Sequence, residues 1–352
     1  MTQHPDSDEH LAFLVKLQRL LSEGDFTATY KFALLMALAD LAVERGHDDC
    51  RALEISMKEI AEKFIGFYWP QSVPYSAHQS AGEVGVLSQN RGATAKVISD
   101  IQRFRNNTGI DGLGRAMVSP LFDRLRVLVA QTVAKQPVNF LQNVAGVNDE
   151  FVYERTENGL RLKPGVSSHL RKFHSLIEQM TKDRWIRHIK DNKRNLPILG
   201  QKDYLQSFLF ETNRKSLAIV SAGLSKLSNR HCFYCHQRIT GTPDVDHFIP
   251  FSSYGRDIAQ NFVLAHAACN RSKSAVLAAK QHLEAWLEHI TRKAADIDQI
   301  AHDAGLVTDH KTILAVTRWS YRQALDANAH AWIRHRVFER VGESHLELLA
   351  PP

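Results

Sequence analysis

No stretch of this chain approaches the ~18 uninterrupted apolar residues that a bilayer-spanning helix needs, so no membrane helix is expected. The opening residues, Met1 to His10, are polar and acidic, without the basic flank and apolar run of a secretory signal; a cytoplasmic setting is the expectation. Cysteine is scarce. Four in 352 residues cannot build a disulfide scaffold, and three of them, Cys232, Cys235 and Cys269, crowd into one short region, a distribution that suggests metal binding. Cys50 stands apart, beyond an apolar helical run, and reads as a plain thiol. Also missing are a Gly-x-x-x-x-Gly-Lys-Ser/Thr loop, a His-Glu-x-x-His helix and a Gly-x-Ser-x-Gly elbow, so no NTP-driven motor is expected. No polar low-complexity tract is present that would resist packing.

What is present is an ordinary globular composition, 44% hydrophobic and 23% charged, in a chain long enough for two or three cores. Lys and Arg number 44 against 38 Asp and Glu, a net +6 that mildly favours a polyanionic partner.

Apolar residues recur at helical spacing from Ala28 to Arg45, and Gly46 follows where a left-handed residue is wanted. Ser56 and Glu59 form a capping-box pattern ahead of an amphipathic run that ends before Pro70. Further helices are predicted from Gly92 to Phe104 and from Ser119 to Val133, with a long loop over Pro74 to Gly92. Phe151 to Leu162 sets Asn158-Gly159 between two short alternating runs, a hairpin signal; it is either the wing of a winged-helix module or an ordinary structural hairpin. Lys182 to Arg194 is a basic helix with Trp185 and Ile186 interleaved. Its Arg187, Lys190, Lys193 and Arg194 are candidate nucleic-acid contacts, or simply a solvated face. From Leu283 onward, apolar spacing predicts several amphipathic helices.

Chemistry concentrates between His231 and Ser274. Cys232-x-x-Cys235 and His266-x-x-Cys269 are two pairs of soft ligands that one Zn²⁺ could join tetrahedrally, with His231 and His236 as rival ligands flanking the first pair. Such a closed site staples the fold and leaves no position for water. Between the pairs lies Pro243-Asp244-Val245-Asp246-His247-Phe248-Ile249-Pro250, an extended segment with Asp244 and Asp246 on one side and Val245 and His247 on the other. Asp246 offers a hard oxygen ligand and His247 can accept a proton at neutral pH. Asn270 can supply a second oxygen, and Lys273 and its neighbour Arg271 can meet phosphates.

This ordered set resembles the HNH, or ββα-metal, nuclease family: a Cys-x-x-Cys knuckle, Asp-His followed by an Ile-Pro, an Asn before an apolar triplet, then Cys-Asn-x-x-Lys. It is also similar to the HNH domains of RNA-guided CRISPR effectors through Asp-Val-Asp-His and Asn-Arg-x-x-Lys-Ser. The resemblance implies His247 as general base, Asp246 and Asn270 as ligands of a catalytic Mg²⁺ (or Mn²⁺), Asn261 as the residue that orients the His247 segment, and a structural Zn²⁺. It also implies double-stranded DNA as partner, with restriction or phage defence as the setting. A homodimer or a defence-system partner stays open, as do a non-cleaving zinc-containing nucleic-acid-binding protein and an RNA-directed or toxin-type nuclease. Two departures stand out: Asn270 replaces the third name-giving His, and His266 stands where many relatives have Cys.

The expected fold class is α+β, a mostly helical chain with an embedded ββα-metal, zinc-stapled HNH nuclease domain. Its expected divisions are an N-terminal helical domain over 1–150, a hairpin and basic connector over 151–215, the nuclease domain over 216–290, and a helical region over 291–352.

Overall fold

The computed structural model describes residues 5–24, 26–75, 83–92, 94–200 and 204–350. The chain is α+β, mostly helical with small antiparallel sheets, and divides into two compact units. One comprises residues 1–110 and 119–210, the other residues 111–118 and 211–352. No helix among the described residues is long and apolar enough to cross a membrane.

The first unit is organised around the helix Tyr30–Arg45, in which every residue from Phe32 to Val43 is buried. A helix apolar on all sides must be enclosed on all sides, and this one packs against the helices Met57–Tyr68, Val166–Lys172 and His174–Lys190. Its one acidic buried residue, Asp40, meets His174 Nε2 at 3.0 Å. Gly46 is not left-handed as expected, for it sits at φ −78°, ψ 176°. Close approach explains the glycine instead: a Cβ there would lie 2.1 Å from Ser167 Oγ. The Ser56 and Glu59 capping box is present in full at the start of Met57–Tyr68. The next helices begin later than predicted, at Lys96 and at Phe122. Part of the loop expected over Pro74 to Gly92 lies outside the described residues.

Among the described residues, five strands belong to this unit: β1 (Leu53–Ser56), β2 (Asn143–Val144), β3 (Val147–Asn148), β4 (Tyr153–Arg155) and β5 (Gly159–Leu162). β5 pairs with both β4 and β1, so the hairpin closes a three-stranded sheet whose outer strand runs straight into Met57–Tyr68. The turn falls one residue earlier than Asn158-Gly159. Thr156 N donates to Gly159 O at 3.0 Å, which leaves Glu157 and Asn158 as the turn. Gly159 is a strand residue whose missing side chain admits β1, since a Cβ would stand 2.0 Å from Ile55 O. The expected boundary near residue 150 therefore does not separate compact units. The basic helix belongs here too, anchored by fully buried Trp185 and Ile189.

In the second unit, residues 111–118 pack on 302–306, where Gly112 and Gly114 allow backbone contact; Gly114 N donates to Gly305 O at 3.1 Å. The remaining strands are β6 (Asp244–His247), β7 (Phe262–Ala265), β8 (His330–Arg334) and β9 (Val337–Arg340). β6 and β7 form one antiparallel ribbon, β8 and β9 another. Under the first ribbon, Phe248 stacks on Trp286 of the helix Lys280–Arg292 with centroids 4.7 Å apart, and the Trp286 indole donates to Gln260 O at 3.0 Å. The β8–β9 hairpin is an addition to the helical region expected over 291–352, where helices Ala294–Ala304 and His310–Asp326 also lie.

Candidate functional site

The register Asp244↔Ala265, Asp246↔Val263, His247↔Phe262 joins β6 to β7, and the chain turns from β7 into the short helix Ala267–Lys273. Strand alternation sends Asp244 and Asp246 to one face. Helix spacing sends Asn270 and Lys273, three apart, to the face that meets them. Asn270 Nδ2 donates to Asp244 Oδ2 at 3.1 Å, and Lys273 Nζ lies 3.1 Å from Asp246 Oδ2 while donating to His247 O at 2.9 Å.

Two sequence expectations change here. Lys273 does not face a phosphate: its side chain is 0% exposed, and the ammonium is turned inward onto Asp246 and the His247 carbonyl. The reason is the apolar surround, in which a buried carboxylate needs a cation. Burial draws the Lys273 ammonium below the ordinary lysine value, against the opposing pull of Asp246. Asn270, expected beside Asp246, bonds Asp244 instead. Arg271, in contrast, is exposed. In the first unit, Arg187, Lys190, Lys193 and Arg194 are exposed as well.

Three side chains that sequence reasoning passed over complete the arrangement. Tyr234, between the knuckle cysteines, donates its hydroxyl to Asp246 Oδ2 at 2.6 Å. Burial, reinforced by the Asp246 charge, pushes its phenol well above the usual range, so it stays a donor. Asp257 Oδ1 lies 2.5 Å from His247 Nε2, and its other oxygen accepts from the Thr212 hydroxyl. Burial alone would raise the Asp257 carboxyl; the His247 hydrogen bond and charge, with Thr212, outweigh that and hold it below the usual range. Neither Asp257 nor Thr212 lies in a recognisable spacing pattern, whereas the place of Tyr234 between Cys232 and Cys235 is a signal that could have found it.

Asn261 is 1% exposed and bonds one residue twice: its Oδ1 accepts from Ile249 N at 2.7 Å and its Nδ2 donates to Ile249 O at 2.9 Å. Its own carbonyl accepts from Phe248 N at 2.7 Å. Both residues following His247 are thereby held. The His247 ring is tilted against Phe262 and Phe251, with centroids 4.7 and 5.2 Å away.

Ligand atoms of Cys232, Cys235, His266 and Cys269 all lie within 4.8 Å of one another. His231 and His236 are outside this group. His266 Nδ1 is the inward nitrogen, 3.3 Å from Cys235 Sγ, while Nε2 approaches the Arg238 carbonyl at 3.4 Å, the outer partner that a metal-bound imidazole requires. Burial and the charges of Cys232 and Cys235 push the Cys269 thiol up to about 12. Three sulfurs so close cannot all ionise without a cation, and the Cys₃His donor set suits zinc.

Residues 232–275 match the family model described as HNH endonuclease, and residues 10–207 match that described as Domain of unknown function (DUF8808). No curated protein and no solved structure matches the chain. The second match covers more than half of the chain, which therefore belongs to the DUF8808 family and carries an HNH endonuclease domain at 232–275.

Proposed function

We propose that the protein is a metal-dependent endonuclease that hydrolyses phosphodiester bonds of DNA, with His247 as general base. The observation that carries this reading is the Asp257 contact on His247 Nε2. An ionised carboxylate only accepts, so Nε2 must carry the proton, and Nδ1 is left as the basic nitrogen able to take a proton from water.

Asp246 and Asn270 would hold the catalytic cation, with Asp244 beside them. Tyr234 and Lys273 engage Oδ2 of Asp246, and Asp244 engages Nδ2 of Asn270. One oxygen on each remains for a hard ion, which suits Mg²⁺ or Mn²⁺ better than zinc. When bound, that ion neutralises charge on the scissile phosphate and the leaving oxygen. Lys273 and Tyr234 orient the Asp246 carboxylate, and Asn261 holds the chain that follows His247. The Cys₃His site, loaded with zinc, would tie the first knuckle to the start of the helix Ala267–Lys273. Arg271 and the exposed Arg187, Lys190, Lys193 and Arg194 would contact backbone phosphates.

The test is supercoiled plasmid incubated with the purified full chain and Mg²⁺, with and without EDTA, alongside His247→Ala. Nicking or linearisation that disappears with EDTA and in the variant supports the reading, provided the variant still binds DNA. Binding without cutting by the unaltered protein would make it a nucleic-acid-binding protein instead, and an active His247→Ala would remove the assigned base.

A further inference from the structure

The hairpin β8–β9 takes no part in the chemistry above, yet it is tied directly to the helix that carries Asn270 and Lys273. Trp332 N donates to Leu277 O and Ala279 N donates to Trp332 O, both at 2.8 Å, which locks the hairpin to the segment leaving that helix. The Trp332 indole donates to Ser272 Oγ at 3.1 Å, and His335 Nδ1, at the hairpin tip, lies 3.4 Å from the same hydroxyl. Beneath, His282 stacks on Trp332 and its Nε2 meets the Ile333 carbonyl at 2.8 Å. The tip is thus held rigidly beside Arg271 and Ser272.

Its residues are Arg334, His335 and Arg336, all exposed. Arg336 has a left-handed backbone (φ 59°), a place where turns ordinarily use Gly or Asn. The nearby acid of β9, Glu339, is engaged by the Lys280 backbone N–H at 2.6 Å and by His345 Nε2 at 3.0 Å. Arg334 and Arg336 form no ion pair or side-chain hydrogen bond with the described residues. A turn that presents two unpaired guanidiniums beside the helix that carries Asn270 and Lys273 is suited to meet anions.

We infer that this tip is a phosphate clamp, in which Arg334 and Arg336 grip the nucleic-acid backbone beside the bond to be cut. The inference rests on the nuclease reading and names a contact surface of that same site. Each arginine that neutralises a phosphate adds to the salt dependence of binding.

Binding of a labelled DNA duplex to the full chain, with Ca²⁺ replacing Mg²⁺ to suppress cutting, is measured by fluorescence anisotropy over a salt series. Arg334→Ala/Arg336→Ala should flatten the plot of log affinity against log salt by about 1.8, or about 0.9 per contact. Between roughly 50 and 200 mM salt the loss of affinity should then be about ten-fold smaller than in the unaltered protein. Arg334→Lys/Arg336→Lys should keep most of the slope, since a point charge also meets phosphate. An unchanged slope and affinity in the alanine variant, while the unaltered protein binds and cuts, overturns the clamp and leaves the nuclease reading standing. Failure of the unaltered protein to bind or cut DNA or RNA overturns both.

Discussion

His247 Nε2 and Asp257 Oδ1 stand 2.5 Å apart, and Asp257 is itself held by Thr212. In the proposed mechanism this pair decides which imidazole nitrogen takes the proton from water. Asp257→Asn can present an amide donor to Nε2 and so favour the opposite tautomer. Cleavage kinetics should show kcat falling by about 10²–10⁴-fold with little change in KM. An imidazole tautomer unchanged by ¹⁵N NMR, together with unchanged kcat, would remove Asp257 from the mechanism.

Lys273 separates two roles that the motif alone does not distinguish. A phosphate contact would alter the salt dependence of binding when removed; a buried partner of Asp246 alters stability. Lys273→Ala is expected to cost about 3–5 kcal/mol in urea unfolding, the usual effect of removing one partner of a buried ion pair. The salt slope of DNA binding should stay as it was. The opposite pattern would put the ammonium back on the nucleic acid.

Metal analysis of the full chain should find one zinc. Cys269→Ser should bind it more weakly, and chelation should lower the unfolding temperature, because zinc affinity through this site is folding free energy. Retention of full thermal stability after complete chelation would show that the cysteines do not staple the fold.

Asn261 satisfies both polar groups of the Ile249 peptide in a buried place. Asn261→Ala leaves both unpaired, at roughly 1–3 kcal/mol for each group. Asn261→Asp keeps the acceptor for Ile249 N and should cost less. Equal stability of the two variants by chemical denaturation would contradict this account.

A pH effect is expected far from this chemistry. His10 Nδ1 and His169 Nδ1 lie 2.7 Å apart in a buried pair, and burial, with His10, lowers His169 to about 4. A histidine whose pKa in the fold is below its unfolded value of about 6.5 stabilises above that value. Its contribution is lost as pH falls from about 6.5 through about 4, at an order of 2–3 kcal/mol. His169→Phe, with no proton to gain, should flatten the stability profile in that window. A variant profile as steep as that of the unaltered chain would assign the loss to other groups.

The Cys₃His cluster and the β6 alternation were legible in the sequence because the signals are local: ligand type, two-residue spacing and strand period act within a few residues. The capping box at Ser56 was legible for the same reason. The turn at Glu157 and Asn158 was displaced by one residue because Gly159 answers to β1, a strand far earlier in the chain. The β8–β9 hairpin was hidden by its arginines and histidines, which obscure apolar alternation.

By itself, then, the order of amino acids set out the cluster that could hold a metal ion and the imidazole proposed as a base. It could not decide that Lys273 would face Asp246, that Asp257 would reach His247, or that Asn270 would meet Asp244. Those pairings join separate elements, and a charge buried by folding takes whichever opposite charge or hydrogen-bond partner the packed elements bring within about 3 Å.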